Sequence, residues 1–443
     1  MDWPHLISSL RFGKEGAERD ERERRTDFQR DYDRLIFSSA FRRMQNKTQV
    51  FPLPGSVFVH NRLTHSLEVS SVGRSLSTDV ADRLGERSPE LWPYLQHFGS
   101  IVSAACLAHD MGNPPFGHSG ESAIRTYFTE ERGERLRGFF TDQQWQDLAR
   151  FDGNANTLRL LTHQFEGRRP GGFVMTYSAL ASVVKYPYSS TLAGKKSKFG
   201  FFASEQAGYE RIAAHLGIPC TERTPDGAVR FARHPLVYLV EAADDICYEV
   251  MDIEDAFKLR ILSFEETEDL LLAFFDDATR ETIRTTYAAD SDRGDRVVYY
   301  RSCVIGALKR ACVATFVEHE EEILVGTFTG SLIDRLPERE REAYRRCSRL
   351  AVKRIYKAQE VTDIELAGYH IIYTLLGLMV DGVLHPDRAY SKLLLGQASP
   401  QYALGRGTEA ERILSVVDYI TGMTDVYALD LYRKINGHQL PVV

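Results

Sequence analysis

The sequence predicts an all-α protein, and three observations carry that expectation. Apolar residues recur at three- to five-residue intervals, with charges between them, along most of the 443 residues. Strictly alternating runs of the strand type are rare. Gly and Pro gather in short clusters that read as loops between longer periodic segments.

The segments follow in order. The first, 28–47, spaces Phe28, Tyr32, Leu35, Ile36, Phe41 and Met44 mostly at three- to five-residue intervals, with charges between them. The clusters at 51–56, 112–120, 166–172 and 217–227 predict loops or sharp turns. Helical periodicity returns at 66–84, 99–112, 236–258, 300–323, 338–358, 363–384 and 409–419. The best hairpin candidate is 226–233, DGAVRFAR. The polar, aromatic stretch 186–204 has no clear period and reads as a mobile loop. With no internal repeat or linker, one large domain with a small irregular insertion near 190–230 is the simplest organisation.

Composition narrows the class. At 43% hydrophobic and 26% charged the chain is of ordinary globular type and long enough to bury a core without staples. A formal net charge of -7 gives no global field for anions, so a polyanionic substrate needs a local cluster of Lys and Arg. The six cysteines show no CxxC pair or framework spacing, as in a reduced cytoplasmic protein. The start, Met-Asp-Trp-Pro-His, lacks the basic and apolar regions of a signal peptide. No apolar run is read as long enough to span a bilayer. The expectation is a soluble, cytoplasmic chain without membrane partners.

Three places concentrate reactive side chains. His65 lies in NRLTHSLE (61–68) at the head of a helix. His109-Asp110 closes an otherwise apolar helix before Pro114-Pro115 stops it, and His118 and Glu121 follow at i, i+3, sharing one face of a new helix. In EAADDICYEVMDIED (241–255), Asp244, Tyr248 and Asp252 fall within roughly 80° of each other on the helix surface. A carboxylate in so apolar a segment is costly unless compensated, and a metal ion compensates it well. Each feature alone has an ordinary structural reading, and Asp245, Glu241 and Glu249 compete for roles on the last helix. Jointly they favour a metal centre.

These words resemble a known family. FQRDYDRLIFSSAFRRMQNKTQVFPL, NRLTHSLEV, AHDMGNPPFGHSGE, EAADDICYEVMDIEDA and DYITGMTDVYALDLYRK are similar to deoxyguanosinetriphosphate triphosphohydrolases and their dNTPase relatives, within the HD-domain phosphohydrolases. The likeness runs from about residue 20 to about 435 and implies an HD-type helical fold, with a core at about 55–260 and a C-terminal helical part at about 261–443. It implies His65, His109, Asp110 and Asp244 as ligands of a divalent metal, Mg or Mn first, with Fe, Co and Ni also compatible with the donors. It implies His118 for proton transfer, oriented by Glu121, in cleavage of a dNTP to deoxynucleoside and tripolyphosphate. Arg62, Lys185, Tyr186, Lys198 and Asn154 become phosphate contacts, and Gln49, Tyr248 and Asp252 sugar contacts; Glu365 is a bare candidate for the base. Homo-oligomers, commonly hexamers, are implied, and single-stranded DNA is an open regulatory partner, with basic stretches at Arg22, Arg24, Arg25 and Arg42-Arg43. A different HD phosphohydrolase or phosphodiesterase would keep the metal set without NPPFGHSGE and DDICYEVMDIED. A non-catalytic nucleotide sensor or DNA binder would be expected to have lost a ligand or His118.

Overall fold

The computed structural model describes residues 1–16, 22–50, 60–195, 197–288 and 291–438. The architecture is helical, as expected. The helices that position the site are α1 (Asp27–Ile36), α2 (Arg62–Arg87), α3 (Phe98–Ala108), α4 (Gly117–Thr129), α5 (Gly153–Thr162), α6 (Tyr177–Val183) and α7 (Ala203–His215). They are followed by α8 (Val237–Lys258), α9 (Arg293–Glu318), α10 (Glu338–Leu350), α11 (Gln359–Leu384), α12 (Glu409–Thr421) and α13 (Asp425–Ile435). Strands β1 (Cys220–Arg223) and β2 (Val229–Phe231) pair antiparallel. β2 falls inside the expected hairpin segment, whose turn comes earlier than the sequence suggested.

α2 and α3 pack closely because α2 turns small residues inward. Ser66, Ser70, Gly73 and Ser77 are all buried, and a Cβ on Gly73 would stand 2.6 Å from Cys106 Sγ on α3. Ser70 and Ser103 share a hydroxyl hydrogen bond of 2.7 Å across that contact. α8 packs on α2, and α9 covers both, so the apolar face of each helix is buried against another. A second apolar cluster joins α4 and α5 to α11, α12 and α13.

Several boundaries differ from expectation. Segment 28–47 is not one helix: Ser38 caps a new short helix, Ser39–Arg43, by accepting from Phe41 N, and a 3-10 turn follows. The helix expected over 338–358 breaks into α10 and a π-turn at Ala351–Ile355. Segment 300–323 divides at His319, between α9 and a short helix at Glu320–Val325. The stretch 186–204 is irregular but packed rather than loose: Phe199, Phe201 and Phe202 are buried, and Ser189 N and Gly200 N donate to Val229 O and Tyr188 O. The expected loop at 51–56 lies outside the described residues. All six cysteines are free.

The expectation about apolar runs needs correction. α11 has 26 residues and a window of mean hydropathy 1.4, enough by length and composition to cross a membrane. Half of that window is buried, and α11 packs against α4, α12 and α13, the setting of a core helix.

Candidate active site

The site is assembled from helix ends. Asn61 caps α2 by accepting from Thr64 N at 2.9 Å, while Thr64 Oγ1 accepts from Asn61 N at 3.1 Å. That reciprocal cap fixes the first turn, which carries Arg62 and His65. α3 delivers His109 at its C-terminal end, and α8 crosses with Asp244 pointing at both histidines. His65 Nε2 lies 3.0 Å from Asp244 Oδ1, and His109 Nε2 lies 3.4 Å from the same oxygen.

His109 carries the clearest sign of a metal. Its Nδ1 donates to Cys106 O at 2.6 Å, which leaves Nε2 as the lone-pair nitrogen of the neutral ring. That nitrogen is buried and has no hydrogen-bond partner. Burial alone would push the ring's pKa down, but Asp110 and Asp244 outweigh it and hold the imidazole up at about 9. Two imidazoles and a carboxylate converging within 4.8 Å fit a divalent cation, which would take the place of that proton. Asp110, the fourth expected ligand, stands at the edge of the cluster. Its Oδ2 accepts from Arg62 Nη1 and its Oδ1 from Asn113 Nδ2, with Oδ1 3.8 Å from His109 Nε2.

α4 begins where Phe116 and Gly117 both adopt left-handed backbone, at φ 60° and 55°. Phe116 is held there by its N–H to Asp425 Oδ1 at 2.9 Å. At Gly117 a Cβ would come within 2.7 Å of Arg62 Nη2, so glycine leaves the guanidinium its place. His118 follows, with its side chain 79% exposed to the cleft and its Nδ1 3.2 Å from Glu121 Oε2. Glu121 is buried and also accepts from Gly153 N at 2.8 Å. Burial would raise its pKa, but His118 and Lys198 outweigh that and keep it an anion. Gly153 is required here too, since a Cβ would collide with Asn113 Oδ1 and press on Glu121 Oε1.

A cleft of about 320 Å³ joins these groups. Gln49, Arg62, His109, Asp110, His118, Glu121, Asn154, Lys185, Tyr186, Lys198, Asp244 and Tyr248 all line it. His65 lies behind Asp244, almost fully buried. Lys185 Nζ is 3.2 Å from Glu241 Oε1, and Lys198 Nζ is 3.4 Å from Asp152 Oδ1. Burial would depress the Lys185 amine, yet Glu241 and Asp245 keep it charged. The lining holds five carboxylates against three Lys and Arg cations. A polyphosphate entering that cleft therefore needs an added divalent cation to offset like-charge repulsion.

Two expected contacts are placed elsewhere. Asp252 does not line the cleft; it is 5% exposed and accepts the Tyr356 hydroxyl at 2.7 Å. Burial pushes its carboxyl up to about 7. Glu365 sits exposed on α11, off the cleft, and only its backbone carbonyl is used, by Ser119 Oγ. Of the adjacent pair on α8, Asp244 joins the histidines, whereas burial pushes Asp245 up to about 7. Sequence reasoning missed Asn113, Lys47, Asp152 and Asp425. Asn113 could have been suspected from its place between His109-Asp110 and the prolines; Asp425, 309 residues from Phe116, left no local signal.

The sequence matches the family model of the HD domain over residues 62–151 and that of a phosphohydrolase-associated domain over residues 335–434. Matched domain, helical fold and paired histidines together define an HD-domain phosphohydrolase. Relatives share the whole length. A deoxyguanosinetriphosphate triphosphohydrolase-like protein of Pseudomonas aeruginosa is 38% identical, with all of both chains covered. One of Synechocystis is 37% identical over 99% of this chain and 100% of its own. A deoxyguanosinetriphosphate triphosphohydrolase of Yersinia enterocolitica is 30% identical over 98% of this chain and 99% of its own. The chain belongs to the deoxyguanosinetriphosphate triphosphohydrolase-like family.

Proposed function

We propose that this chain hydrolyses deoxynucleoside triphosphates, dGTP or several dNTPs, to the deoxynucleoside and tripolyphosphate. The observation that carries the reading is one cleft holding the His65–His109–Asp244 cluster, the His118–Glu121 pair and the cations Arg62, Lys185 and Lys198. The names of the full-length relatives support the substrate class. A divalent metal held by His65, His109 and Asp244, with Asp110 beside them, would supply Lewis-acid polarisation of a phosphoryl oxygen.

The protein's own groups supply the rest. Arg62 reaches from the first turn of α2 toward the cluster and offers a planar fork to a phosphate oxygen next to Asp110. Lys185, Lys198 and Asn154 take the remaining phosphates along the wall. His118 moves the proton that hydrolysis requires, and the buried Glu121 carboxylate holds its Nδ1 so that Nε2 is the exchanging atom. Tyr248 and Gln49 line the same cleft and are assigned the sugar; Gln49 Oε1 is buried without a partner among the described residues, an acceptor suited to a hydroxyl. The test is a panel of four dNTPs and four NTPs with Mg or Mn, products resolved by chromatography. One or more dNTPs giving deoxynucleoside supports the reading; hydrolysis of none, or release of monophosphates, contradicts it.

A further inference from the structure

A second cavity, of about 30 Å³, shares no lining residue with the catalytic cleft. It lies where the Ala40–Lys47 segment meets α5, the turn before Phe173 and the end of α12. Three cations border it: Arg43, Lys47 and Arg168. Its single carboxylate, Asp418, is already engaged by Arg159, whose Nε and Nη2 each donate to it at 2.7 Å.

We propose that this cavity binds a phosphoryl-type oxyanion. Lys47 is the central observation. It is 3% exposed, and its Nζ donates to Asn113 O at 2.6 Å and Thr421 O at 2.9 Å. Two of the three ammonium hydrogens are thus used, and the third is left for the cavity. Among the described residues neither Lys47 nor Arg43 has a carboxylate within ion-pair distance. A buried ammonium without an ion-paired carboxylate is costly, and burial, followed by the neighbouring Arg43, pushes this amine down to about 7 against the opposing pull of Asp425 and Asp110. An anion would remove that penalty, and a guanidinium on the wall supplies the fork that oxyanions prefer. The volume sets the size: a couple of water-sized groups, or one tetrahedral oxyanion in their place. A whole nucleotide is too large, so only a terminal phosphoryl group or an inorganic ion would be enclosed.

Occupancy would be felt in the cleft. Lys47 holds the carbonyl of Asn113, and the Asn113 side-chain amide holds Asp110 beside the metal cluster. Binding at this cavity does not depend on the reaction assigned to that cleft. Equilibrium dialysis with radiolabelled inorganic phosphate, repeated with tripolyphosphate and with an α,β-imido dGTP, tests it on the full chain. Lys198→Ala weakens the cleft and is expected to keep one phosphate equivalent that Arg43→Ala/Arg168→Ala lacks, with affinity at least tenfold lower in the double variant. Arg168→Glu, an exposed change at the cavity's mouth, is expected to weaken the same equivalent without disturbing the fold. For the equivalent that Arg43→Ala/Arg168→Ala removes, equal affinity for phosphate and for the imido nucleotide would identify an inorganic ion as occupant, and tighter nucleotide binding a terminal phosphoryl group. Unchanged binding in both Arg variants, or loss of every equivalent in Lys198→Ala alone, would overturn the proposal.

Discussion

At the scale of single residues, His109 shows how an ordinary hydrogen bond commits a side chain to chemistry. Because Cys106 O takes Nδ1–H, the unpartnered Nε2 is presented to Asp244 and His65. His109→Ala is therefore expected to lose both bound metal, by mass-spectrometric metal content, and turnover; a variant keeping full metal and normal activity would contradict the assignment. His118 lines the cleft and meets Glu121, so His118→Ala is expected to bind dNTP normally but turn over at least ~100-fold more slowly. Tyr248 stands with its ring centre 6.5 Å from that of His65. The sugar contact proposed for it predicts that Tyr248→Ala raises GTP hydrolysis relative to dGTP, by removing a clash with the 2′-hydroxyl. Equal rates on the two nucleotides for the unmodified protein would refute that pocket. The histidines and carboxylates that the cleft gathers were legible because they stood out against apolar helices, whereas Gln49, Arg62, Asn154, Lys185, Tyr186 and Lys198 came only from the family resemblance. The choice between Asp244 and Asp245 was not legible, since it depends on which direction α8 faces, nor was the capture of Asp252 by a tyrosine 104 residues away.

At the scale of elements, the head of a helix at Asn61-Arg62-Leu63-Thr64 was readable, and the structure adds the reciprocal cap that forms it. Breaks within long periodic segments were less so, because a capping serine or a π-turn changes the backbone without disturbing the hydrophobic period. The contact between α2 and α8 offers a measurable consequence. His60 Nδ1 lies 2.8 Å from Asp255 Oδ2 and its Nε2 3.2 Å from Glu68 Oε1, linking the two helices that bear His65 and Asp244. Burial would lower the His60 pKa, but Asp255 and Glu68 outweigh it and raise it to about 10. The folded pKa exceeds the unfolded value near 6.5. The stabilisation is thus complete below that pH and lost as pH rises toward 10. Thermal melts are expected to show His60→Gln costing about 1–3 kcal/mol at pH 6, with the gap from the unmodified protein narrowing by pH 9. A gap that widens with pH would contradict the sign.

At the scale of the whole molecule, the C-terminal helices are bound to the core that carries the His65–His109–Asp244 cluster by charge as well as by apolar packing. Arg159 on α5 pairs with Asp418 on α12 and with Glu205 on α7, all three almost fully buried. Arg159→Met would leave two buried carboxylates without their cation and is expected to lower stability to urea by about 3–5 kcal/mol. A loss under 1 kcal/mol would show the helices to be held by packing alone. The helical class was legible because periodicity is local, whereas the joining of α12 to α5 depends on residues 259 apart and left no signal beyond their charge. Still longer separations, 377 and 309 residues, hid Asp425, which bonds Thr48 and Phe116, close in sequence to Gln49 and His118 of the cleft lining. The proposed function places cleavage at the α-phosphorus, and phosphorus NMR of dGTP turning over with Mn or Mg tests that most directly. Tripolyphosphate as the first phosphorus-containing product is the predicted result; pyrophosphate with dGMP, or orthophosphate with dGDP, would contradict it.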